Sequence, residues 1–211
     1  MDRPMDALTG LVSGVELNTE MEILIAKGDE FAYALLDIDT LSRINRDFGH
    51  DAGDAVFLCV TKHLKTVFLP PCMIFRDSRD EYCILMPGQS KEQAFLKAEQ
   101  ARLLINQDKL NFKSHDGKHL TQSVSIGISS FPDDGSRPAD ITRRADSAMA
   151  RAKKNGRNQV CLAREEKLIP KTSHYTSVQL EKLSLIANKE KTGEAVLLRE
   201  ALDDLLRKYD E

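Results

Sequence analysis

The stretch Phe31-Ala-Tyr-Ala-Leu-Leu-Asp-Ile-Asp39 decides the fold of this chain, because it is a nearly continuous apolar run that ends in two acids. A run of this length and composition predicts a strand that is buried on both faces of a sheet. Its two acids, Asp37 and Asp39, lie at the carboxyl end of the strand, where active sites collect in open α/β sheets. The stretch therefore predicts an α/β domain with chemistry at one end of its central strand.

The residues after this strand predict an alternation of helices and strands. The predicted elements are a helix through Leu41, Ile44 and Phe48, a helix at 52–67, strands at 72–76 and 82–86, a helix at 91–106, a strand at 121–129, a helix after Pro138 that ends at Asn155-Gly156, and a strand at 159–162. The polar segment 77–81 predicts a hairpin turn with acids at its tip. The order βααββαβαβ predicts a mixed sheet flanked by helices rather than a doubly wound parallel sheet.

The rest of the chain predicts a small second domain. Residues 1–163 form the α/β domain, and the charged segment 164–171, which contains Pro170, is a predicted linker. Residues 172–211 predict a strand-helix-helix tail, with a short polar stretch at 172–176 and helical runs at 178–191 and 194–209, broken at Thr192-Gly193. Each tail helix is too short to be stable alone in water, so the pair must pack on something.

Composition and charge limit the classes of protein that this chain can represent. A chain of 211 residues with 41% hydrophobic and 6% aromatic content suits a globular protein, and a net charge of -3 indicates no nucleic-acid or membrane partner for the whole chain. The four cysteines, Cys59, Cys72, Cys83 and Cys161, show no CxxC spacing and predict buried free thiols in a reducing compartment. No apolar run approaches the ~20 residues of a membrane span, so we expect a cytoplasmic protein without a membrane anchor.

Four carboxylates are predicted to meet at the end of the central strand. Asp37 and Asp39 end that strand, and Asp80 and Glu81 lie at the tip of the predicted hairpin. Such a set suits Mg²⁺ bound together with substrate phosphates, because a few hard oxygen ligands leave coordination positions for a nucleotide. The alternative is that these are solvated loop acids, and the local pattern does not separate the two interpretations.

Four motifs follow one another in order between residues 6 and 158. They are Asp6-Ala-Leu-Thr-Gly-Leu11, the run DIDTLSRINRDFGHDAGD from Asp37 to Asp54, Ser125-Ile-Gly127, and the run RADSAMARAKKNGRN from Arg144 to Asn158. These resemble DxLTGL, DxDxFKxxND…GHxxGD, SIG and RADxAxYxAKxxGRN of the GGDEF (diguanylate cyclase) family. The resemblance covers residues 6–162 and implies that family's nucleotidyl-cyclase-like fold. It also implies a domain that binds GTP and that, facing a second copy, joins two GTP molecules into cyclic di-GMP.

The resemblance implies roles for individual residues. Asp37, Asp80 and the backbone carbonyl of Ile38 would hold Mg²⁺. Glu81, beside Asp80 in the signature, would help to activate the ribose 3′-hydroxyl as the nucleophile. The residues implied to bind the nucleotide are Asn45 and Asp54, which would read the guanine edge, Lys153 and Arg157, which would contact the triphosphate, and His50, Ser78 and Arg79.

The signature departs from the family pattern, since Ser78 and Arg79 replace its two glycines and the sequence reads SRDEY. Glycine at such a turn allows positive φ and a close approach of the backbone to the nucleotide. Arg79 puts a long side chain where base and ribose should lie, and a displacement of ~1 Å can cost ~100-fold in rate. Ser42 and Ala150 replace a lysine and a tyrosine of the family, and the RxxD of the inhibitory product site is absent at 69–72.

These departures predict a domain that binds a guanine nucleotide, either GTP or cyclic di-GMP, but catalyses slowly or not at all. Product inhibition through the RxxD site is not expected. In an alternative interpretation Arg79 itself contacts a phosphate, since its planar guanidinium suits bidentate binding of oxyanions.

The tail carries a second set of motifs, in the segments Lys171-Thr-Ser-His-Tyr175, Gln179-Leu-Glu-Lys-Leu183, Ile186-Ala187 and Leu197-Leu-Arg-Glu-Ala-Leu202. In order and spacing they resemble the ribbon-helix-helix family of DNA-binding proteins. The resemblance implies that two chains pair their 172–176 strands into a ribbon that enters the major groove. The base-reading residues would be Lys171, Ser173 and Tyr175, or Thr172, His174 and Thr176, depending on the register.

The tail also allows plainer interpretations, namely a helical hairpin docked on the first domain or a pair of helices that dimerises the chain. We therefore expect a homodimer under most hypotheses. The leading hypothesis is a DNA-binding transcriptional regulator whose degenerate GGDEF domain binds a guanine nucleotide or serves as a scaffold. The alternatives are an active diguanylate cyclase dimerised by its tail helices and a protein-interaction module with neither activity.

Overall fold

A computed structural model describes residues 5–76, 80–114, 117–164, 172–189 and 193–209. The chain divides into two compact units, residues 1–166 and 167–211. The strands of the first unit are β1 (Val12–Ser13), β2 (Phe31–Ile38), β3 (Met73–Arg76), β4 (Glu81–Pro87), β5 (Val124–Phe131) and β6 (Val160–Leu162). Its α-helices are α1 (Leu17–Lys27), α2 (Leu41–Phe48), α3 (His50–Val67), α4 (Lys91–Gln107) and α5 (Pro138–Lys154), and a 3₁₀ turn at Gly14–Glu16 precedes α1.

The strands form one mixed sheet in the order β1-β3-β4-β2-β5-β6. The central strand β2 pairs antiparallel with both β4 and β5. Beyond them, β3 pairs antiparallel with β4, while β1 and β6 pair parallel with β3 and β5. The predicted class, a mixed sheet flanked by helices, is confirmed.

All eight residues of β2 are buried, because helices cover both faces of the sheet. Ala32, Ala34 and Leu36 belong to the core that contains α3 and α4. The alternate residues Phe31, Tyr33 and Leu35 belong to the core that contains α1 and α5. A strand covered in this way has no solvent-facing side, which explains why its sequence is apolar at consecutive positions rather than at every second one.

The structure adds two elements to the prediction and moves several boundaries. Helix α1 was not predicted, although it ends at Gly28 in the left-handed region with φ 74°, as a helix C-cap does. Strand β1 has only two residues, too few to leave a periodic pattern. Glu81 is the first residue of β4 rather than part of the turn, and β5 begins at Val124 rather than at residue 121.

Helix α5 lies unusually close to β5 at Gly127. A β-carbon at this position would lie 1.9 Å from the carbonyl oxygen of Ala145 and 2.4 Å from the amide nitrogen of Met149. Both are backbone atoms of α5, so neither can rotate away as a side chain does. Any residue larger than glycine would push the helix away from the sheet.

Replacing Gly127 by alanine is expected to lower the free energy of unfolding by about 3 kcal/mol, because the helix must shift to admit the methyl group. Urea denaturation measures the change. The matched control is Gly28→Ala, at a position with open space around the β-carbon, where only the φ of 74° opposes the change, at a cost of about 1 kcal/mol. Equal effects of the two substitutions would show that the contact with α5 is not tight.

The second unit contains two helices, α6 (Ser177–Lys189) and α7 (Glu194–Tyr209), at the positions predicted for them, and they contact each other. Residues 172–176 do not form the predicted strand: they are exposed, and no described strand pairs with them. Thr176 instead caps the N-terminus of α6. Its hydroxyl accepts a hydrogen bond from the amide of Gln179 at 3.3 Å, and its own amide donates to Gln179 Oε1 at 2.9 Å. Within the described ranges no helix has the length and apolar character that a membrane span requires.

Candidate active site

The pairing of β2 with β4 brings three of the predicted acids together. Asp37 lies opposite Glu81 in the antiparallel register. The next residue, Ile38, donates its amide hydrogen to the carbonyl oxygen of Asp80 at 3.2 Å. Asp37, Asp80 and Glu81 therefore lie at one end of the two central strands, with Asp37 buried and Glu81 half-buried.

Among the described residues, helix α5 supplies a cation that pairs with one of these acids. The Nζ of Lys153 lies 2.8 Å from Oδ2 of Asp37, and a third of its side chain is exposed. The sequence predicted that Lys153 contacts the triphosphate. In the structure it pairs with the buried carboxylate of Asp37, so a phosphate and Asp37 would compete for the same ammonium group.

One lysine does not balance the negative charge of this site. Burial raises the pKa of Asp37 to about 6, although the hydrogen bond and charge of Lys153 act in the opposite direction. Burial also raises the pKa of Glu81 to about 7, and the neighbouring charges of Asp37 and Asp146 add to the effect. Buried acids with raised pKa values indicate a site that gains from a further cation.

The residues predicted to hold Mg²⁺ fit that ion by the chemistry of their donor atoms. Asp37 and Asp80 offer carboxylate oxygens, and Ile38, between them in the site, offers a backbone carbonyl. All are hard oxygen donors of the kind that Mg²⁺ prefers, and they are too few to complete an octahedron, so nucleotide phosphates and water would fill the remaining positions.

Asp39 does not join this set, which corrects the four-carboxylate expectation. Its carboxylate accepts hydrogen bonds from the hydroxyls of Ser123 at 2.7 Å and Ser125 at 2.6 Å, and from the amide of Asn158 at 3.1 Å. The side chain is buried and its oxygens are committed to these partners. Asp39 therefore anchors the loop after α5 to the sheet. Although it is close in sequence to the predicted metal ligands, we do not expect it to bind the metal.

Asp146 was not predicted as a site residue, although it stands in the third position of the Arg144-Ala-Asp146 motif. Its charge raises the pKa of Glu81, which places it in the electrostatic environment of the signature acid. The sequence signal for it was its spacing from Lys153, seven residues or about two helical turns, which puts both residues on the same side of α5.

The predicted guanine-reading residues lie around the junction of α2 and α3. Asn45 is half-buried on α2, while His50 and Asp54 are exposed on α3. A β-carbon on Gly53 would lie 1.9 Å from Oδ1 of Asn45, so glycine makes room for this amide. Among the described residues Oδ1 of Asn45 has no hydrogen-bond partner although it is buried, and a buried acceptor left unpaired costs about 1–3 kcal/mol. After a rotation of the side chain, the donor edge of a guanine would satisfy this oxygen.

The remaining predicted nucleotide contacts lie at two turns. Arg157 is exposed just after α5, where its backbone has a φ of 64° and its amide donates to the carbonyl of Ala152 at 3.0 Å. Ser78 and Arg79 lie outside the described residues, so their roles remain predictions. The strand leading to them is fixed by Arg76, whose guanidinium lies 2.7 Å from Asp6 Oδ1 and 3.9 Å from the centroid of the Phe57 ring.

Comparison with known proteins identifies the family. Residues 4–159 match the family model described as "Diguanylate cyclase, GGDEF domain". Together with the sheet order and the acids at the end of β2 and β4, this match shows that the chain belongs to the GGDEF family. The sequence prediction of a GGDEF domain is thereby confirmed.

The chain is similar to parts of larger signalling proteins. It is 34% identical over 162 residues to diguanylate cyclase DgcP of Pseudomonas aeruginosa, covering 75% of this chain and 24% of that protein. It is 31% identical over 163 residues to the response regulator PleD of Caulobacter vibrioides, covering 74% of this chain and 35% of that protein. The chain thus spans about a quarter to a third of the length of these relatives.

Solved structures show the same fold. The GGDEF domain of DgcB from Caulobacter crescentus in complex with c-di-GMP superposes with a TM-score of 0.67 at 26% identity, over 77% of this chain and 97% of that one. The active GGEEF domain of a diguanylate cyclase from Vibrio cholerae gives a TM-score of 0.63 at 28% identity, over 72% of this chain and 94% of that one.

The raised pKa of Glu81 predicts that its charge destabilises the fold. The unfolded chain ionises this group near pH 4.5 and the folded chain near pH 7, so stability falls as pH rises through that window. Replacing Glu81 by glutamine should therefore raise the free energy of unfolding by about 2 kcal/mol at pH 8 and by less at pH 5. The exposed Glu22→Gln on α1 is the control and should change neither value. A loss of stability in Glu81→Gln at pH 8 would contradict the electrostatic account.

Proposed function

We propose that this protein binds a guanine nucleotide with Mg²⁺ through its GGDEF domain and that its altered signature turn slows cyclase chemistry. We further propose that its tail dimerises the chain for DNA binding. The proposal of nucleotide binding is supported by the excess of negative charge at the buried Asp37 and the half-buried Glu81, which Lys153 alone does not neutralise among the described residues. A metal-bound nucleotide is the ligand that this family would bring to such a site.

In the proposed complex, Asp37, Asp80 and the carbonyl of Ile38 hold the ion. Bound there, Mg²⁺ would neutralise charge on the nucleotide phosphates. Once Asp37 is engaged, Lys153 no longer has to balance it. The flexible, partly exposed side chain of Lys153 then reaches towards the phosphates from the end of α5, and the exposed Arg157 reaches towards them from the following turn.

Glu81 has the properties of a general base in this arrangement. Its pKa of about 7 lies close to neutral pH, where a proton acceptor combines a useful deprotonated fraction with sufficient basicity. The proton would come from the ribose 3′-hydroxyl, whose oxygen then attacks the α-phosphate of the second nucleotide and displaces pyrophosphate as the bond between its α- and β-phosphates breaks. Asp146 supports this role by keeping the pKa of Glu81 high, since a second negative charge disfavours ionisation.

The sequence of the signature turn supports slow turnover rather than loss of binding. Ser78 and Arg79 replace glycines beside the intact Asp80-Glu81 pair, and a non-glycine residue at positive φ is strained. The sequence retains the acids and the guanine-reading residues, so we assign the slow turnover to poor placement of the nucleotide. The competing candidate, an active cyclase, is supported by the same intact acids and by the similarity to proteins named as diguanylate cyclases.

Restoring the glycines separates these two candidates. The variant with Ser78→Gly and Arg79→Gly together is expected to form cyclic di-GMP at least ~10-fold faster than the unaltered chain, because the backbone can again approach the nucleotide. Chromatography of GTP incubated with Mg²⁺ and full-length protein measures the product. Adding Glu81→Gln to the glycine variant is the control and should abolish turnover. Rapid turnover by the unaltered chain, not increased by the glycines, would establish the active cyclase.

The exposed apolar residues of the tail support dimerisation. Leu180, Leu185 and Ile186 on α6 are 43%, 70% and 50% exposed, and Leu202, Leu205 and Leu206 on α7 are 51–53% exposed. Two short helices with this much apolar surface need a further partner. A second copy would also supply a pairing strand for residues 172–176, which pair with no strand in the part of the chain that the structure describes.

The base-reading residues follow from that dimer. Thr176 is occupied with capping α6 through Gln179, so of the two registers in the sequence prediction the proposal favours Lys171, Ser173 and Tyr175 over Thr172, His174 and Thr176. Tyr175 is exposed and available for contact. Lys171 lies outside the described residues, and its role stays a prediction from the sequence.

Replacing Leu206 by glutamate is expected to convert a dimer into a monomer and to abolish DNA binding, because the charge enters the proposed interface. Sedimentation velocity measures the first effect, and fluorescence anisotropy with a mixed-sequence DNA duplex at low salt measures the second. Leu96→Glu, at a leucine of α4 that is 69% exposed, is the matched control and should change neither. A dimer that binds no DNA even at low salt would contradict the DNA-binding proposal and leave dimerisation as the function of the tail.

A further inference from the structure

A second cluster of metal-binding side chains lies on α3 and at the end of α4. Cys59 and His63 are four residues apart on α3, so they face the same side of the helix. Asp108 is the residue that follows α4. Its Oδ2 lies 2.7 Å from Nε2 of His63 and 3.7 Å from Sγ of Cys59. One ligand atom from each of the three side chains lies within 4.8 Å of the other two, and none of these residues belongs to the candidate active site.

Gln122 adds an independent observation at the same place. Its side chain is 1% exposed, and its Nε2 lies 3.9 Å from Sγ of Cys59. The same nitrogen donates to the carbonyl oxygens of Ile105 at 2.8 Å and Asp108 at 2.6 Å. Oε1 of Gln122 is buried and has no partner among the described residues. Buried polar atoms are almost always hydrogen-bonded, so this oxygen indicates a missing donor.

We propose that Cys59, His63 and Asp108 bind a divalent transition metal ion of the zinc class. Thiolate, imidazole and carboxylate together form a ligand set typical of Zn²⁺, and three protein ligands leave the fourth tetrahedral position for water. The side chain of Gln122 borders this position, since its Nε2 lies 3.9 Å from Sγ of Cys59.

Two of the three separations lie close to those around a tetrahedral ion, and the third, between Cys59 and His63, is no more than 4.8 Å. Metal bonds of about 2.0–2.3 Å place tetrahedral ligand atoms about 3.3–3.7 Å apart. The distance from Cys59 to Asp108 already has this value, and the 2.7 Å from His63 to Asp108 must widen by about half an ångström. His63 and Asp108 lie on different elements, and the half-buried Asp108 follows the last turn of α4, where a shift of that size is small.

The charges around the cluster allow the ion. Lys62 also donates to Oδ2 of Asp108 at 3.1 Å, but its side chain is 67% exposed and can leave for solvent. Binding of the ion would displace the proton of the Cys59 thiol, because the thiolate is the form that binds a metal.

The ion would connect three parts of the first unit. Cys59 and His63 belong to α3, Asp108 follows α4, and Gln122 precedes Ser123, whose hydroxyl donates to Asp39. Metal binding would therefore resist the separation of α3 from α4 and of α4 from the beginning of β5. Binding to the folded chain alone raises its stability by mass action.

Cobalt is the probe for the test, because Co²⁺ replaces Zn²⁺ and absorbs light. Titration of metal-free, full-length protein with Co²⁺ should reach one equivalent per chain, with a thiolate-to-cobalt band in the near ultraviolet and visible bands of a tetrahedral ion. Addition of Zn²⁺ should remove these bands. The Cys59→Ser variant should lose the ultraviolet band, and His63→Ala should weaken binding by more than about 10-fold.

The matched control is Cys161→Ser on β6, a half-buried free thiol outside the cluster, which should bind Co²⁺ like the unaltered chain. Circular dichroism of each variant shows whether it is folded, and His63→Gln provides a second ligand variant close in size to histidine. Absence of the thiolate band in the unaltered chain, or its persistence in Cys59→Ser, would overturn the proposal. The result does not depend on nucleotide binding, because Mg²⁺ and GTP are left out of the titration.

Discussion

The close packing of α5 on β5 at Gly127 is the contact on which the arrangement of the candidate active site depends. The helix backbone lies so near the strand that a single methyl group would displace it. From this position α5 presents Lys153 to Asp37 and Asp146 to the field of Glu81, and the loop that follows it gives the amide of Asn158 to Asp39. Helix α5 and the loop after it thus supply the partners of Asp37 and Asp39 and a neighbouring negative charge for Glu81.

Asp37 near the end of β2 and Asp39 just after it show how local environment separates residues of the same type. Asp39 receives three hydrogen bonds and serves the structure. Asp37, two positions earlier, is buried beside Lys153 and has a raised pKa. The carboxylate of Asp39 is satisfied by its protein partners, whereas that of Asp37 gains from a further cation. The same reasoning applies to Glu81, whose excess charge opposes folding but suits a proton acceptor near neutral pH.

The sequence predicted what depends on local pattern and missed what depends on tertiary neighbours. The apolar run ending at Asp37 was sufficient to predict a central strand buried on both faces of the sheet, and the ordered motifs were sufficient to predict the family. The commitment of Asp39 to two serines was not predictable, because those serines are 84 and 86 residues away along the chain. The four cysteines looked like isolated buried thiols for a similar reason: Cys59 meets Asp108 across 49 residues. The strand predicted at 172–176 does not form in the described chain, where these residues are exposed, and its pairing with a second copy stays a proposal.

The proposed ligand of the first unit is a guanine nucleotide together with Mg²⁺. Isothermal titration of the full-length protein with GTP and with ATP, each in the presence and absence of Mg²⁺, measures this binding. We expect saturable binding of GTP that depends on Mg²⁺, with ATP bound at least ~100-fold more weakly because Asn45 and Asp54 would be left without the donor edge of guanine. Equal binding of the two nucleotides, or GTP binding that is unaffected by removal of Mg²⁺, would contradict it.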